Sequence, residues 1–554
     1  MVNLDAPMRL RRLMFVAAVA LVVSSDARAQ APAASPAIDT GDTAWMLTST
    51  ALVLMMTIPG LALFYGGLVR AKNVLSTLMH SFFCAGLISV VWVAIGYTLS
   101  FGSGGNWLWG GLEHLGLRGV LGTASPLAPT IPHALFVAYQ ATFAVITPAL
   151  ISGAFAERMR FPAFAAFMLL WSVVIYCPMV HWVWGGGWIA SQLGALDFAG
   201  GTVVHVASGI SALVTAVYLG RRIGYGHEPM VPHNLPLTVI GASLLWVGWF
   251  GFNAGSALGS NGLAAVAFIN THTAAAAAAL AWLAVESLKT GKPTLLGAAS
   301  GAVAGLVAIT PGAGFVTPMA SIAIGAAGGA VCCLAVSLKP RLGYDDALDV
   351  VGVHMVGGTL GALLTGVFAT ATVNPAIKDL SLGLTGGLLY GHPRLLWQQT
   401  LGVLATCAFC GLGTLALLVV INAVFRIRAT RDEEILGLDL SQHSERAYGF
   451  GAGEPVAVVT SAEPRPAMAP PVPGNRFTIA IDGVDPTTLV NRWRELCGAP
   501  DRRASDDFKQ VYAQVTTIRG PRFRFRGGDR EQMRQRLETL FKSVSPGARA
   551  RLEA

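Results

Sequence analysis

Two histidines, His205 and His354, stand inside long apolar segments, where an ionisable side chain is costly to place and therefore points to function. A neutral imidazole donates a hydrogen bond from one ring nitrogen and accepts one at the other, and its usual pKa of about 6.5 lies near neutrality. This pair could therefore bind a small polar solute and pass its proton. The alternative is two packing histidines with satisfied hydrogen bonds.

Four further side chains fall near the ends of apolar segments. Asp197 opens the segment of His205, where a carboxylate could attract a cation or cap the helix by accepting backbone N–H bonds; we favour the cap. Trp184, Phe143 and Ser256 offer aromatic faces and a hydroxyl that can hold a small cation. For Trp184 alone, an interfacial aromatic belt is the alternative.

The elements that carry these residues are predicted to be membrane helices. The chain has 554 residues, of which 53% are hydrophobic and only 12% charged, against about 25% charged in soluble proteins. Apolar runs long enough to cross about 30 Å of hydrocarbon predict an all-α membrane protein with about eleven spans. They cover residues 45–68, 77–101, 134–156, 162–190, 201–219, 236–257, 262–287, 294–310, 316–338, 347–371 and 396–425.

Basic residues set the predicted orientation. Lys and Arg follow the odd-numbered spans, beginning with Arg70 and Lys72 after the first, which places the N-terminus outside and the C-terminus in the cytoplasm. The net charge of +8 is explained by these flanks and by the tail, so we expect no nucleic-acid partner. Residues 1–29 are predicted to be a signal peptide, with an uncleaved additional helix as the alternative.

A short pattern recurs in the fifth and tenth spans. Val204-His205 with Gly209 matches Val353-His354 with Gly358, and each histidine lies eight residues after an aspartate, Asp197 or Asp346. This placement indicates two inverted five-helix halves followed by one long helix.

The C-terminal part has a different composition. Residues 451–474 predict a linker, and 475–554 a small cytoplasmic α/β module. Its predicted strands are 477–481, 511–518 and 522–526, and its predicted helices 486–496 and 529–544. The seven cysteines suggest neither a disulfide nor a metal site. With no nucleophile beside a base and no phosphate loop, we expect no catalytic residue, no cofactor and no enzyme.

Several segments together resemble a known family: Pro59 to Gly67, Ala156-Glu157-Arg158, Trp249 to Ser256 and Gly352-Val353-His354. From about residue 39 to 448 the chain is similar to bacterial ammonium transporters of the Amt/Mep/Rhesus superfamily. The resemblance implies an ammonium channel domain over 39–428. It further implies a recruitment site of Trp184, Phe143 and Ser256, a gate of Phe143 and Phe252, a structural carboxylate at Asp197, and a lumen lined by His205, His354, Trp249 and Thr310.

The resemblance also implies a homotrimer in the bacterial inner membrane, among lipid, with one pore in each subunit. In the family, a cytoplasmic tail, here residues 429–450, couples the subunits and docks P-II signal proteins. The segment Gly437-Leu438-Asp439 matches its pattern, but Ser444 stands where the family has glycine, which argues against ordinary P-II regulation.

Two other classes of function remain for comparison. An ammonium sensor that signals through the C-terminal extension is the main alternative. A neutral gas or water channel is a weaker one, because a neutral solute needs no cation-binding aromatic site such as Trp184 with Phe143 and Ser256.

Overall fold

The computed structural model describes residues 38–448 and, further along the chain, 476–482, 485, 488, 515–519, 522–526, 529–542 and 548–553. The chain divides into two units between Ala447 and Tyr448. The predicted signal peptide, the linker 451–474 and the predicted helix 486–496 lie outside the described residues, with the exception of single positions in that helix.

Within the described part of the first unit, ten helices are long and apolar enough to span a membrane, and an eleventh apolar helix has 15 residues. At 1.5 Å per residue the short helix, α8, reaches only about 22 Å of a roughly 30 Å hydrocarbon core. The membrane class is thus confirmed, while an eleventh span stays a prediction. The helices are α1 Thr40–Leu68, α2 Ala71–Phe101, α3 His133–Phe155, α4 Phe161–Val183, α5 Gly201–Leu219, α6 Leu235–Ala257, α7 Gly262–Thr290, α8 Leu295–Ile309, α9 Pro318–Leu342, α10 Val351–Phe368 and α11 Pro393–Val424.

Helices α5 and α10 both begin with a π-helical turn, Gly201–Val206 in α5 and Val351–Met355 in α10. Such wide turns are rare and frequently occur at functional sites. Each turn carries one of the two histidines, so the equivalence that the sequence repeat predicted extends to the local backbone.

The glycines of the repeat let α5 and α10 cross closely. A Cβ atom added to Gly209 would overlap the backbone of Met355, and one added to Gly358 would lie 2.9 Å from the Gly201 carbonyl oxygen. Each glycine therefore packs against the π-helical turn of the opposite helix, where a larger side chain would push the histidine-bearing turns apart.

Short elements complete the first unit. Strands β1 (Ala124–Ser125) and β2 (Ala128–Pro132) pair in the loop before α3, and a four-residue helix, Ile377–Leu380, precedes α11. Two further helices follow α11, α12 (Arg431–Leu436) and α13 (Leu438–His443). They are held against the start of α2, because the Asp439 carboxylate accepts from the Leu75 and Ser76 N–H groups at 3.0 and 2.8 Å.

The second unit contains a four-stranded antiparallel sheet in the order β4-β5-β3-β6, the strand order of a split β-α-β arrangement. One face packs against α14 around Ile479, Ile481, Phe523, Phe525, Leu537 and Phe541. The three predicted strands and the last predicted helix agree with the structure, whereas β6 was not predicted. The elements are β3 Arg476–Asp482, β4 Val515–Arg519, β5 Arg522–Arg526, α14 Arg530–Lys542 and β6 Arg549–Glu553.

Candidate functional site

An open cavity of about 560 Å³ brings together the residues predicted for cation recruitment. Phe143 and Trp184 meet edge to face, with ring centroids 5.8 Å apart and planes at 88°. The Ser256 hydroxyl faces the same cavity and donates to the Phe252 carbonyl at 2.8 Å. With its hydrogen used in this way, the Ser256 oxygen presents a lone pair to the cavity, so it can accept a hydrogen bond from a donor cation.

Tyr139, which sequence reasoning missed, also lines this cavity. Its hydroxyl donates to the Gly251 and Phe252 carbonyls at 2.9 and 3.0 Å, and it lies 3.2 Å from the Ser256 hydroxyl. A signal was present in the sequence, because Tyr139 precedes Phe143 by one helical turn on α3 and so shares its face.

The Asp197 carboxylate is engaged by the start of α5. One oxygen accepts from the Gly200 and Gly201 N–H groups at 2.8 and 2.7 Å; the other accepts from the N–H and hydroxyl of Thr202. The Asp197 carbonyl in turn accepts from the Trp184 indole at 2.9 Å. This geometry is that of a helix cap, and it links the aromatic cavity to the helix that carries His205.

Below the open cavity, two phenylalanine rings lie in contact with their planes tilted by 38°. The Phe143 and Phe252 ring centroids are 4.3 Å apart, and both side chains are buried. Phe252 in turn lies over His205, with ring centroids 6.0 Å apart. The predicted gate residues therefore lie directly between the open cavity and the histidines.

His205 and His354 face each other in a narrow lumen of about 10 Å³. Their Nδ1 atoms are 3.1 Å apart, so one ring donates and the other accepts. Among the described residues, the buried His205 Nε2 has no hydrogen-bond partner. The other lining residues are hydrophobic or aromatic, namely Met56, Leu61, Phe64, Tyr65, Ile146, Leu150, Val204, Leu245, Trp249, Phe252 and Val303.

Trp249 and Thr310 have different places around this lumen. The Trp249 ring stacks on His205, with centroids 5.4 Å apart and planes at 23°. Its indole N–H donates to the Thr310 hydroxyl at 2.9 Å, and that hydroxyl donates to the Leu306 carbonyl at 2.7 Å. Thr310, expected to line the lumen, is instead behind the indole that lines it and fixes the orientation of that ring.

A second cavity, of about 50 Å³, continues from His354 to Tyr65 and Asp349. The Asp349 carboxylate lies 2.5 Å from the Lys339 ammonium group. Asp349 also has a left-handed backbone, with φ of 62°, which is uncommon for a residue with a side chain. Sequence reasoning missed Asp349, because nothing in its spacing separates it from an ordinary helix-flanking carboxylate.

The Ala156-Glu157-Arg158 motif lies at the end of α3 in a buried ion cluster, away from the lumen. Glu157 pairs with Arg70 at 2.5 Å, and Asp345 pairs with Arg222 at 2.8 Å. Burial opposes ionisation, but Arg222 and Arg70 outweigh it and hold the pKa of Glu157 below its usual value. Arg222 likewise overcomes burial and lowers the pKa of Asp345.

Asp346, the repeat counterpart of Asp197, caps α10 by accepting from the Val351 N–H at 2.7 Å. Its other carboxylate oxygen is buried without a hydrogen-bond partner in the described part of the chain. Burial and the nearby Asp349 raise the pKa of Asp346 to about 6, although Lys339 acts in the opposite direction.

Among the residues that the structure describes, no three His, Cys, Asp or Glu side chains come together to hold a metal ion.

Comparison with known proteins gives a consistent result. Residues 44–448 match the model of the Ammonium Transporter Family. The chain is 55% identical over 409 residues to an ammonium transporter of Bacillus subtilis, an alignment that covers 74% of this chain and 98% of the relative. It is similar to the crystal structure of Candida albicans Mep2, with TM-score 0.67 and 38% identity over 72% of this chain and 88% of that one. A protein described as a sensor Amt protein matches with TM-score 0.66 and 29% identity over 73% of this chain and 98% of that one.

Proposed function

Because this chain belongs to the Ammonium Transporter Family, we propose that it recruits ammonium in the open cavity, removes a proton, and conducts ammonia past His205 and His354. The protein is a multi-pass membrane transporter of ammonium and not an enzyme. The observation that carries the finer proposal is the unbroken order of cation-binding cavity, phenylalanine gate and histidine-lined lumen.

The open cavity has the chemistry to bind the ion. The faces of Trp184 and Phe143 attract a cation through their π systems, and the Ser256 lone pair accepts one N–H of ammonium. Potassium has the same charge and a similar size, so this cavity by itself discriminates poorly between the two ions. Selectivity must therefore come from the lumen below it.

The lumen can reject an intact ion. An isolated charge in an apolar medium costs tens of kcal/mol unless it is compensated, and the side chains below the gate are mainly hydrocarbon and aromatic. Ammonium can leave its proton and enter as neutral ammonia, which has no such cost. Potassium has no proton to lose, so the same lumen excludes it.

The histidine pair gives the released proton a route of its own. One proton lies between the two Nδ1 atoms, so one ring carries an Nε2–H while the other offers a bare Nε2. When a proton is accepted at the bare Nε2, the Nδ1 proton moves across the 3.1 Å contact and the opposite Nε2–H is released. Ammonia can pass the same two rings as a hydrogen-bond partner. This sequence separates the two species while using one pair of residues.

Currents from proteoliposomes on a solid-supported membrane test the proposal. We expect an ammonium jump, but not a potassium jump, to give a current, and His205→Ala and His354→Ala each to reduce it at least tenfold. The matched control is His272→Ala, which alters a histidine of α7 that contacts Trp246 rather than the lumen. Equal currents from potassium and ammonium would contradict deprotonation at the gate.

The assembly and location are part of the same proposal. We propose a homotrimer in the bacterial inner membrane, with the N-terminus outside and α12 and α13 in the cytoplasm, where a P-II protein is the candidate partner. A second function, ammonium sensing, is favoured by the separate C-terminal unit and by the similarity to a sensor Amt protein. Truncation after Gly451 distinguishes the two: a lost cellular response with unchanged current supports sensing.

A further inference from the structure

The sheet of the second unit has one face packed on α14 and one open face rich in arginine. Strand β5 alternates, so Phe523 and Phe525 are buried in the core while Arg522 and Arg524 are exposed on the other side. Strand β6 adds the exposed Arg549 and Arg551 to the open face. We propose that this arginine face docks on the anionic phospholipid headgroups of the membrane in which the first unit is embedded.

The strand register concentrates positive charge around small residues. Arg522 and Arg551 lie directly opposite Ala480 from its two sides, and Arg524 lies opposite Thr478. Ala480 is buried and Thr478 is half-buried between the arginines, so the guanidinium groups are the part of this face that reaches solvent. A phosphodiester can approach there and take two parallel N–H bonds from a guanidinium group.

Among the described residues, two carboxylates on this face reduce its charge but do not cancel it. Arg522 contacts Glu553 at 2.8 Å and Arg551 contacts Asp482 at 3.1 Å. The side chains of Arg522 and Arg551 remain 61% and 64% exposed, so these are solvent-exposed pairs that a phosphate can exchange with. The four arginines outnumber the two carboxylates, and residues 475–554 carry sixteen Lys and Arg against ten Asp and Glu.

The covalent tether favours a membrane over a diffusible partner. Residues 449–475 lead from the end of the first unit to the first strand of the sheet, and even a fully extended chain of this length reaches only about 90–100 Å. The sheet is therefore always near a bilayer surface, at a high effective concentration. The cytoplasmic leaflet is negative and attracts each nearby Lys or Arg by about 1 kcal/mol, which is a factor of about five in population.

The described part of the sheet argues against nucleic acid. Sheets that bind single-stranded RNA stack bases on exposed aromatic side chains. Here the Phe523 and Phe525 rings lie in the core, and the described side chains on the other face are Arg, Thr, Ala, Asp and Glu, none of them aromatic.

Energy transfer in the full chain tests the proposal. The protein with Gln532→Cys and Cys497→Ser, labelled with a donor dye on α14, is placed in nanodiscs that contain an acceptor-labelled lipid. We expect transfer to rise when phosphatidylcholine is replaced in part by phosphatidylglycerol, and to fall again in 0.5 M salt. Transfer that does not depend on anionic lipid would overturn the proposal and point to an acidic protein partner.

A charge-matched pair of variants locates the surface. Arg524→Gln with Arg549→Gln removes two charges from the open face, and Arg530→Gln with Arg536→Gln removes two from α14 on the other side of the sheet. We expect the first pair to lower the ratio of docked to undocked tail about 25-fold, as two residues at about fivefold each, and the second pair to lower it less than threefold. Equal losses in both pairs would mean that net charge, rather than this face, attracts the tail. Hydrogen exchange at β3 confirms that each variant retains the sheet.

Discussion

Substituting Asp197 with asparagine tests whether this carboxylate caps α5 or binds the transported cation. The two carboxylate oxygens accept hydrogen bonds from the Gly200, Gly201 and Thr202 N–H groups at 2.7 to 2.8 Å, and also from the Thr202 hydroxyl. Asparagine keeps one oxygen and replaces the other by an NH₂ group. In either orientation, that NH₂ group points at backbone donors that previously had an acceptor.

The cost follows from the bonds that are lost. A hydrogen bond to a charged group contributes about 1.5–3 kcal/mol. In Asp197→Asn at least one such bond is lost, because the asparagine NH₂ group faces a backbone N–H group and both are donors. Because Asp197 is only partly buried, water can replace part of the loss, so we expect Asp197→Asn to destabilise the protein by about 3 kcal/mol. Transport falls as well, at least tenfold, since the cap begins the turn that carries His205 and the Asp197 carbonyl holds Trp184.

The matched control is the same substitution at the repeat counterpart. One Asp346 oxygen accepts from the Val351 N–H, and the other has no partner among the described residues, so an NH₂ group there meets no donor. We expect Asp346→Asn to cost less than about 1 kcal/mol near neutral pH. Thermal unfolding followed by tryptophan fluorescence measures both variants. If Asp197→Asn kept wild-type stability and lost only transport, the carboxylate would bind the cation directly and the cap argument would fail.

Three further predictions follow from neighbouring parts of the structure. Burial raises the pKa of Asp346 to about 6 from its ordinary 3.8. The stability of wild type relative to Asp346→Asn should therefore fall by about 3 kcal/mol as pH rises from about 4 to above 6, as measured by unfolding across that range. A stability difference that did not change with pH would contradict a raised pKa. Phe252→Ala removes a buried ring whose centroid is 4.3 Å from that of Phe143, and it should destabilise the protein by about 3–5 kcal/mol. It should also open a proton leak in the absence of ammonium, measured with a pH dye inside vesicles. If no proton leak appeared, Phe252 would not be part of the gate. Glu157→Gln leaves Arg70 and Arg222 without their shared carboxylate and should destabilise the protein by about 3–5 kcal/mol. The current per folded molecule should stay unchanged. A lost current in folded protein would give this ion cluster a role in transport.

Sequence reasoning found the residues that are chemically out of place. His205 and His354 stand out because an ionisable group within an apolar span needs a reason, and Asp197 stands out because it opens such a span. The structure brings the predicted Trp184, Phe143 and Ser256 to one cavity. The order of these residues along the path was implied by family resemblance, not by their spacing.

Other features depend on tertiary packing and were not predictable from local patterns. The 15 residues of α8 are as apolar as a full span, so hydropathy alone does not show that the helix ends early. The role of Thr310 behind Trp249 depends on how α6 meets α8. Strand β6 was missed because its sequence, Arg549 to Glu553, is mostly charged, and only pairing with β3 makes it a strand.

The repeat explains both the similarity and the difference between the two halves. Symmetry requires that each histidine sit on a π-helical turn crossed by the glycine of the other helix, and this places the two Nδ1 atoms 3.1 Å apart. The capping carboxylates of Asp197 and Asp346 are not brought together by this packing, because they lie at opposite ends of the path. Asp197 is fully engaged next to the cation cavity, where a free carboxylate would hold the ion and slow its release. Asp346 keeps one oxygen without a partner in the described structure, near the cavity that leads away from His354. The same fold element therefore carries two histidines on equivalent turns, while the carboxylates that cap the two helices are engaged to different extents.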